Sequence, residues 1–463
     1  MMPHDAPPPS PGGAAPPTAR PPSAVGPPPP AAGPPAAPGR MHGGTVLWVT
    51  LAVFAQESVW NFYDAQVPAQ LRHFVTSAGL VGLFMGLDNV LGVLIQPWTG
   101  HLSDRHARGR RGRWPIILAG AALAAVPFAL IPRAGGLPAL LACVVGFAAI
   151  ANAFKGVTET LVSDYVAPGD RSKAQGYVKA GVSLTIVVSS LISLLVIDRS
   201  TTLAFAIPPF LMLVVLGLSW TFLGRHHTKA VLPGGAGGAP VAGPDVAAAE
   251  IPSPWAVVKD LVRAPTGARA LLMLGIFCFA GMWSALRSLL TPYGTEVLGL
   301  SRGEAGGLAL PGAIAFLCAV VPLAYVSGRL GRIRAIRYGV GLFVIGLLIG
   351  FPAPTPAATV VSMAVASIGY AVFAVNALVA LWSLAPDSRV LGTYTGMYTV
   401  ASASGMAFGP ALLGVTVDLT DWRYMLLNAA VLGAVTFAVF TLLARRNAGG
   451  AAAGGDVPAG SPG

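Results

Sequence analysis

The sequence predicts an all-α membrane protein of twelve transmembrane helices, arranged as two pseudo-repeated six-helix bundles. Three observations carry that expectation. The 463-residue chain is 54% hydrophobic and only 10% charged, against the roughly 25% charged of soluble domains. Long apolar runs recur from Val46 to Leu443, and at about 20 residues per crossing they make about twelve helices. A barrel would show short alternating segments instead. Finally, two loop motifs return at nearly equal offsets. Leu102-Ser-Asp-Arg105 is echoed by Val326-Ser-Gly-Arg329, and Ala167-Pro168-x-x-Arg171 by Ala385-Pro386-x-x-Arg389. Such a duplication places a substrate site near the midplane, between the halves.

Taken in order, residues 1–42 are Pro, Ala and Gly with almost nothing to bury, and are expected to form a disordered cytoplasmic tail without a signal peptide. The N-terminal six-helix bundle spans 43–224, with crossings near Thr45–Tyr63, Leu80–Leu102, Pro115–Ile131, Leu137–Leu161, Val178–Ile197 and Leu203–Leu223. Residues 225–268 read as a cytoplasmic linker. Within it Trp255, Val258, Leu261 and Val262 alternate with Lys259 and Arg263 as in a short amphipathic surface helix. The C-terminal bundle covers 269–446, with crossings near Ala270–Leu290, Gly306–Tyr325, Ile336–Phe351, Ala357–Leu384, Tyr394–Val417 and Tyr424–Leu443. Residues 447–463 form a second disordered cytoplasmic tail.

The net charge of +11 is a topology signal. Most Lys and Arg fall on alternate loops or tails. Arg72, Arg133, Arg199, Arg302 and Arg423 fall on the other side, and Lys155 and Arg287 lie inside spans. That bias puts both termini in the cytoplasm of a multi-pass cell-membrane protein and asks for no nucleic-acid partner. Cys143, Cys278 and Cys318 sit singly in apolar spans, without metal spacing or a disulfide framework. No Gly-Lys pair exists to build a phosphate-cradling loop. The chain is therefore expected to be no enzyme, to need no cofactor or metal, and to act as a monomer whose partners are the lipid bilayer, a small-molecule substrate and a coupling ion.

The densest motif lies between the second and third spans, where Gln96-Pro97-Trp-Thr-Gly100-His-Leu-Ser-Asp104-Arg105 leads through Arg108, Arg110, Arg111 and Arg113 to Pro115. Arginines between two spans hold a loop on the cytoplasmic side, but Asp104 asks for a partner. The motif resembles the signature loop of the major facilitator superfamily, and most of all the branch of sucrose/glycoside–proton symporters. Gln96-Pro97, Gly100, Asp104-Arg105 and Pro115 match, with the Gly-Arg-Arg core displaced to Gly109-Arg110-Arg111 or Gly112-Arg113. Lys155-Gly-Val-Thr-Glu-Thr-Leu161-Val-Ser-Asp164 is similar to that branch's Arg-x-Pro-x-x-Ala-Leu-x-x-Asp, and Pro168-x-x-Arg171 follows its next loop. The resemblance implies a secondary transporter working by alternating access, with proton-coupled sugar symport. A cytoplasmic gate would then comprise Gly100, Asp104, Arg105, Arg111, Arg113, Asp164 and Arg171, with Asp164 and Arg171 as a clamp.

Charges inside hydrocarbon are expensive and mark functional candidates. Glu57, Trp60, Asn61 and Asp64 share one face of the first span beside Gln56, and Asp88 and Asn89 lie near the middle of the second. With Glu159, the acids Glu57, Asp64 and Asp88 are candidates for proton coupling, because burial favours a carboxyl group's neutral form. The competing reading is structural: these acids pair with Lys155 or with helix ends, Lys155 pairs with Glu159 at i, i+4, and Asp64 is merely hydrated near the outer end. Gln56, Trp60, Asn61, Asn89, Asn152, Lys155, Trp283, Arg287, Tyr370 and Asn376 are candidates for substrate binding, with Phe373, Tyr394, Tyr398 and Ser402 nearby. Aromatic faces and amides suit a neutral polyhydroxy ligand, although each aromatic alone reads equally as packing. Sodium remains a second coupling ion, since Asp88, Asn89 and hydroxyls could supply oxygen ligands. Two further readings stay open: an exporter of drugs or metabolites, and a non-transporting accessory protein of the same fold.

Overall fold

A computed structural model of the chain describes residues 43–107, 112–166, 170–224, 267–384 and 391–453, and they are helical with no strand among them. The first half runs α1 (Gly43–Arg72), α2 (Ala78–Ala107), α3 (Trp114–Leu130), α4 (Leu137–Glu159), the short α5 (Leu161–Tyr165), α6 (Arg171–Ile192) and α7 (Thr201–Leu223). The second runs α8 (Ala268–Glu296), the short α9 (Arg302–Gly307), α10 (Ala309–Leu330), α11 (Arg332–Gly350), α12 (Pro356–Ser383), α13 (Leu391–Leu419) and α14 (Met425–Ala453). A π-helical turn, Ser193–Ile197, closes α6.

Eleven of the described helical stretches are long and apolar enough to cross a membrane. α1 matches them in length, with 30 residues, and falls short only in apolarity. Its Gln56, Asn61, Gln66 and Gln70 are nonetheless buried, because α1 packs on α6 and α7 and also on α8. Polar groups there meet protein rather than lipid, which is where a membrane helix tolerates them.

The two halves repeat the same packing. α1 lies on α6 and α7, α4 on α2 and α3, and α3 on α7; correspondingly α8 lies on α13 and α14, α12 on α10 and α11, and α11 on α14. Between the halves α2 packs on α13, α6 on α10 and α1 on α8. Equivalent positions carry equivalent chemistry. Pro68 and Pro292 both sit inside the paired central helices α1 and α8. Asn152 and Asn376 each donate to the carbonyl four residues earlier, Ala148 and Val372.

Several helices outrun their predicted ends. α1 continues to Arg72 and α8 through Pro292 to Glu296, because their polar last turns are bonded across the halves rather than left to end the helix. α14 continues past residue 447 to Ala453. The eighth crossing is broken at Leu308 and the fourth at Thr160. Most of the expected tails, nearly all of the linker and its amphipathic helix lie outside the described residues. The bundle has an Arg72 end and an Arg113 end.

Candidate functional site

The polar face of α1 is held in place by its neighbours. Lys155 of α4 reaches across to Glu57, with Nζ 2.8 Å from Oε1, and lies 5.5 Å from the centre of the Trp60 ring. This corrects the expected pairing of Lys155 with Glu159. Glu159 is exposed at the last residue of α4, within electrostatic reach of Lys155 and Lys179. Three helical positions beyond Trp60, the buried Tyr63 stacks with it on Phe147 of α4, so the face is fixed by aromatic packing as well as by charge.

Asp88 of α2 is 8% exposed. Its Oδ1 accepts 2.7 Å from Nδ2 of Asn89, and no described cation comes within the 4.0 Å of an ion pair. Asn152 ties this part of α2 to α4: Nδ2 donates 2.9 Å to the Asp88 carbonyl, and Oδ1 accepts 2.9 Å from Gln96 Nε2. Gln96 of the Gln-Pro pair is thereby an anchor between α2 and α4.

The halves meet at Arg287 of α8. Its Nη2 donates 2.5 Å to Oδ1 of Asn61 and lies 3.1 Å from Oδ2 of Asp64. Asn61 in turn donates 2.6 Å to Oγ1 of Thr185 on α6. Asp64, a proton-coupling candidate whose competing reading is hydration near the outer end, is ion-paired across the halves. A small cavity of about 30 Å³ lies at this centre, walled by Asn61, Asp64, Ser189 and Ser190 from the first half, by Arg287 and Thr291 from the second, and by the apolar Ala65, Ile186, Leu290 and Ala309. The Ser189 hydroxyl is buried without a partner, so it is free to bond a guest. One helical turn before Arg287, the Trp283 indole stacks on Tyr370 of α12, 3.8 Å between ring centres and 5° from parallel. Tyr370 lies within electrostatic reach of Arg287 and Tyr398.

Other predicted residues stand apart. Asn376 donates 2.8 Å to Ser327 Oγ between α12 and α10, a packing contact within the second half. Gln56 is buried with neither amide atom bonded. At the Arg113 end, Asp164 pairs with Arg113 at 3.0 Å, both buried, and Arg113 also donates to Ser103. The expected clamp of Asp164 with Arg171 is therefore replaced. Arg171 instead donates 2.9 Å to the Ser163 carbonyl and 3.2 Å to that of Val166, terminating α5. Gly100 lies in α2 with open space at its Cα. Arg111 and the side chains of Asp104 and Arg105 lie outside the described residues.

Several polar contacts between the halves lie between the Arg287 centre and the Arg72 end. Arg72 Nη2 lies 2.7 Å from Oε1 of Glu296. Arg302 donates 2.8 Å to Gln66 Oε1 and 2.8 Å to Gln70 Oε1. The pocket is shut from that side. Sequence reasoning missed Thr185, Ser189, Ser190 and Thr291. The signal was present, since Thr185, Ser189 and Ser193 repeat at helical spacing inside an apolar span.

The family model described as Major Facilitator Superfamily matches residues 41–339 and 272–460. No curated protein matches the sequence. Solved structures of similar fold include a bacterial homolog to the human lysosomal transporter Spinster in its inward-facing, unoccupied conformation. It is 16% identical, with 87% of this chain and 97% of that one covered and a TM-score of 0.69. The nucleoside transporter NupG is 12% identical, with 87% and 99% covered and a TM-score of 0.66. The peptide transporter POT in complex with sulfate is 15% identical, with 87% and 95% covered and a TM-score of 0.64. At these identities the likeness is one of fold.

Proposed function

Because the chain belongs to the Major Facilitator Superfamily, we propose that it is a secondary active transporter carrying a sugar or glycoside inward with a proton by alternating access. It does so as a monomer in the cell membrane, with both termini in the cytoplasm. The observation that carries this reading is the small cavity walled by both halves, where Asn61, Asp64 and Arg287 meet, with a buried acid, Asp88, within electrostatic reach of Asp64.

The acids divide by partner. Glu57 faces Lys155 and Asp64 faces Arg287. Asp88 faces an amide donor, so it is the group best placed to take up the coupling proton. Neutralising it also relieves its repulsion with Asp64. Arg287 and Asn61, one from each half, would bond the guest and break their own contact as it binds, so loading is felt by both halves. The Asn61 amide and the hydroxyls of Ser189, Ser190 and Thr291 suit a polyhydroxy solute.

The test is uptake of labelled sucrose, maltose and glucose into vesicles containing the purified protein, with and without an imposed inward proton gradient. Accumulation of at least one sugar above equilibrium, only with the gradient and lost in Asp88→Asn, is the expected result. Uptake of none of them under either condition would overturn the sugar–proton reading in favour of an exporter or an accessory protein.

A further inference from the structure

Two aspartates outside the pocket make matching contacts across the halves. Asp198, just past the end of α6, accepts 2.6 Å from Ser301 Oγ and 2.9 Å from the Gly303 N–H at the start of α9. Asp418, in the last turn of α13, accepts 2.6 Å from Ser77 Oγ, 2.7 Å from the Ala78 N–H and 2.9 Å from the Gly79 N–H at the start of α2. In each case the last residues of the fifth crossing of one half cap the first turn of the second crossing of the other. Ser77 and Ser301 are repeat equivalents, as are Gly79 and Gly303. Arg72 and Glu296, which pair between the two caps, stand 224 residues apart, the same spacing as those serines and glycines.

We infer that Asp198 and Asp418 are positioning residues, a matching pair of latches that hold the Arg72 end shut. The inference rests on the transporter reading above. Its physics is that of helix capping. The first turn of a helix leaves backbone N–H groups without intrahelical acceptors and carries partial positive charge, so a carboxylate there is favoured. Here the carboxylate comes from the opposite half. When the halves rock apart at this end, both caps break together and the orphan donors return to water. Glycine at the contact is what lets the acid approach: a Cβ on Gly303 would collide with Asp198 Oδ2, and one on Gly79 would come 3.0 Å from Asp418 Oδ2. The two caps share no partner, so their effects on the balance between open and shut multiply.

The test uses spin-label distances in the full chain, with Cys143, Cys278 and Cys318 replaced by serine and no solute present. One label pair, Gly135→Cys with Ala353→Cys, spans the halves at the Arg72 end. A second, Lys173→Cys with Arg334→Cys, spans them at the opposite end. Asp198→Ala and Asp418→Ala should each raise the ratio of open to shut at the Arg72 end about fivefold, and together ~25-fold. The first distance should lengthen as the second shortens. Ser77→Ala with Ser301→Ala, which removes one bond from each cap and leaves the acids in place, should move both distances the same way by less. If the aspartate variants do not fold, the serine pair decides alone. Distance distributions unchanged from the parent in the folded variants would overturn the latch. Because no solute is involved, a chain that transports with unchanged distances refutes the latch only. One that shifts its distances yet carries no sugar refutes the sugar reading only.

Discussion

At the scale of single residues, the arrangement separates charges that hold the fold from the one proposed to move. Arg113 and Asp164 are an ion pair with side chains 4% and 6% exposed, and a buried pair is costly to break from one side. Arg113→Ala should therefore destabilise the protein by about 3–5 kcal/mol, read as a lowered melting temperature in detergent. Lys173→Ala, whose partner Asp170 is 3.9 Å away at the surface, should change it little. The candidate residues themselves were legible, because a charge inside an apolar run is conspicuous. Their partners were not. Lys155 reads along the chain as a partner of Glu159, one turn away, or of the other membrane acids, and of these it bonds Glu57 on another helix. Asp64 likewise meets Arg287 from the other half. Such pairings depend on how helices are rotated and crossed, which spacing within one helix does not encode. The hydroxyls of Ser189 and Thr291 were overlooked for a different reason: a lone Ser or Thr in a span reads as a group bonded to its own backbone.

Among the elements, eleven helices are apolar enough to be legible as crossings, α1 is the less apolar one, and the errors lie at the ends. α1 and α8 are longer than expected because their last polar turns are bonded to the opposite half, a tertiary effect that overrides the local signal. The contact of α2 with α13 was not legible at all. There Gly82 and Gly86 face the backbone of Pro410 and Ala407 so closely that a Cβ on either glycine would collide with a carbonyl. Small residues let membrane helices approach to backbone contact. Gly86→Leu should wedge this pair apart and weaken closure at the Arg72 end. In a background with the native cysteines replaced, a membrane-impermeant thiol reagent outside the vesicle should then modify Thr291→Cys about tenfold faster, the effect of an overpacked contact. An unchanged labelling rate would mean that α2 and α13 do not separate when that end opens.

For the whole molecule, the duplication announced by two loop motifs is visible in packing, in matched prolines and asparagines, and in the paired caps. What the duplication does not supply is symmetry of charge. Glu57, Asp64 and Asp88 all belong to the first half, whereas the second half contributes Arg287 and the stacked rings of Trp283 and Tyr370. The account gives the halves different tasks, one taking the proton and both gripping the solute, with the pocket shut at the Arg72 end. Its central claim is that solute and proton move together. The most direct measurement is proton flow: vesicles holding a pH-sensitive dye and the purified protein, with no imposed gradient, are given the transported sugar from outside. The account predicts that the interior acidifies as sugar enters, and that Asp88→Asn removes the acidification. Sugar entry with no change of interior pH, or full acidification in Asp88→Asn, would contradict it.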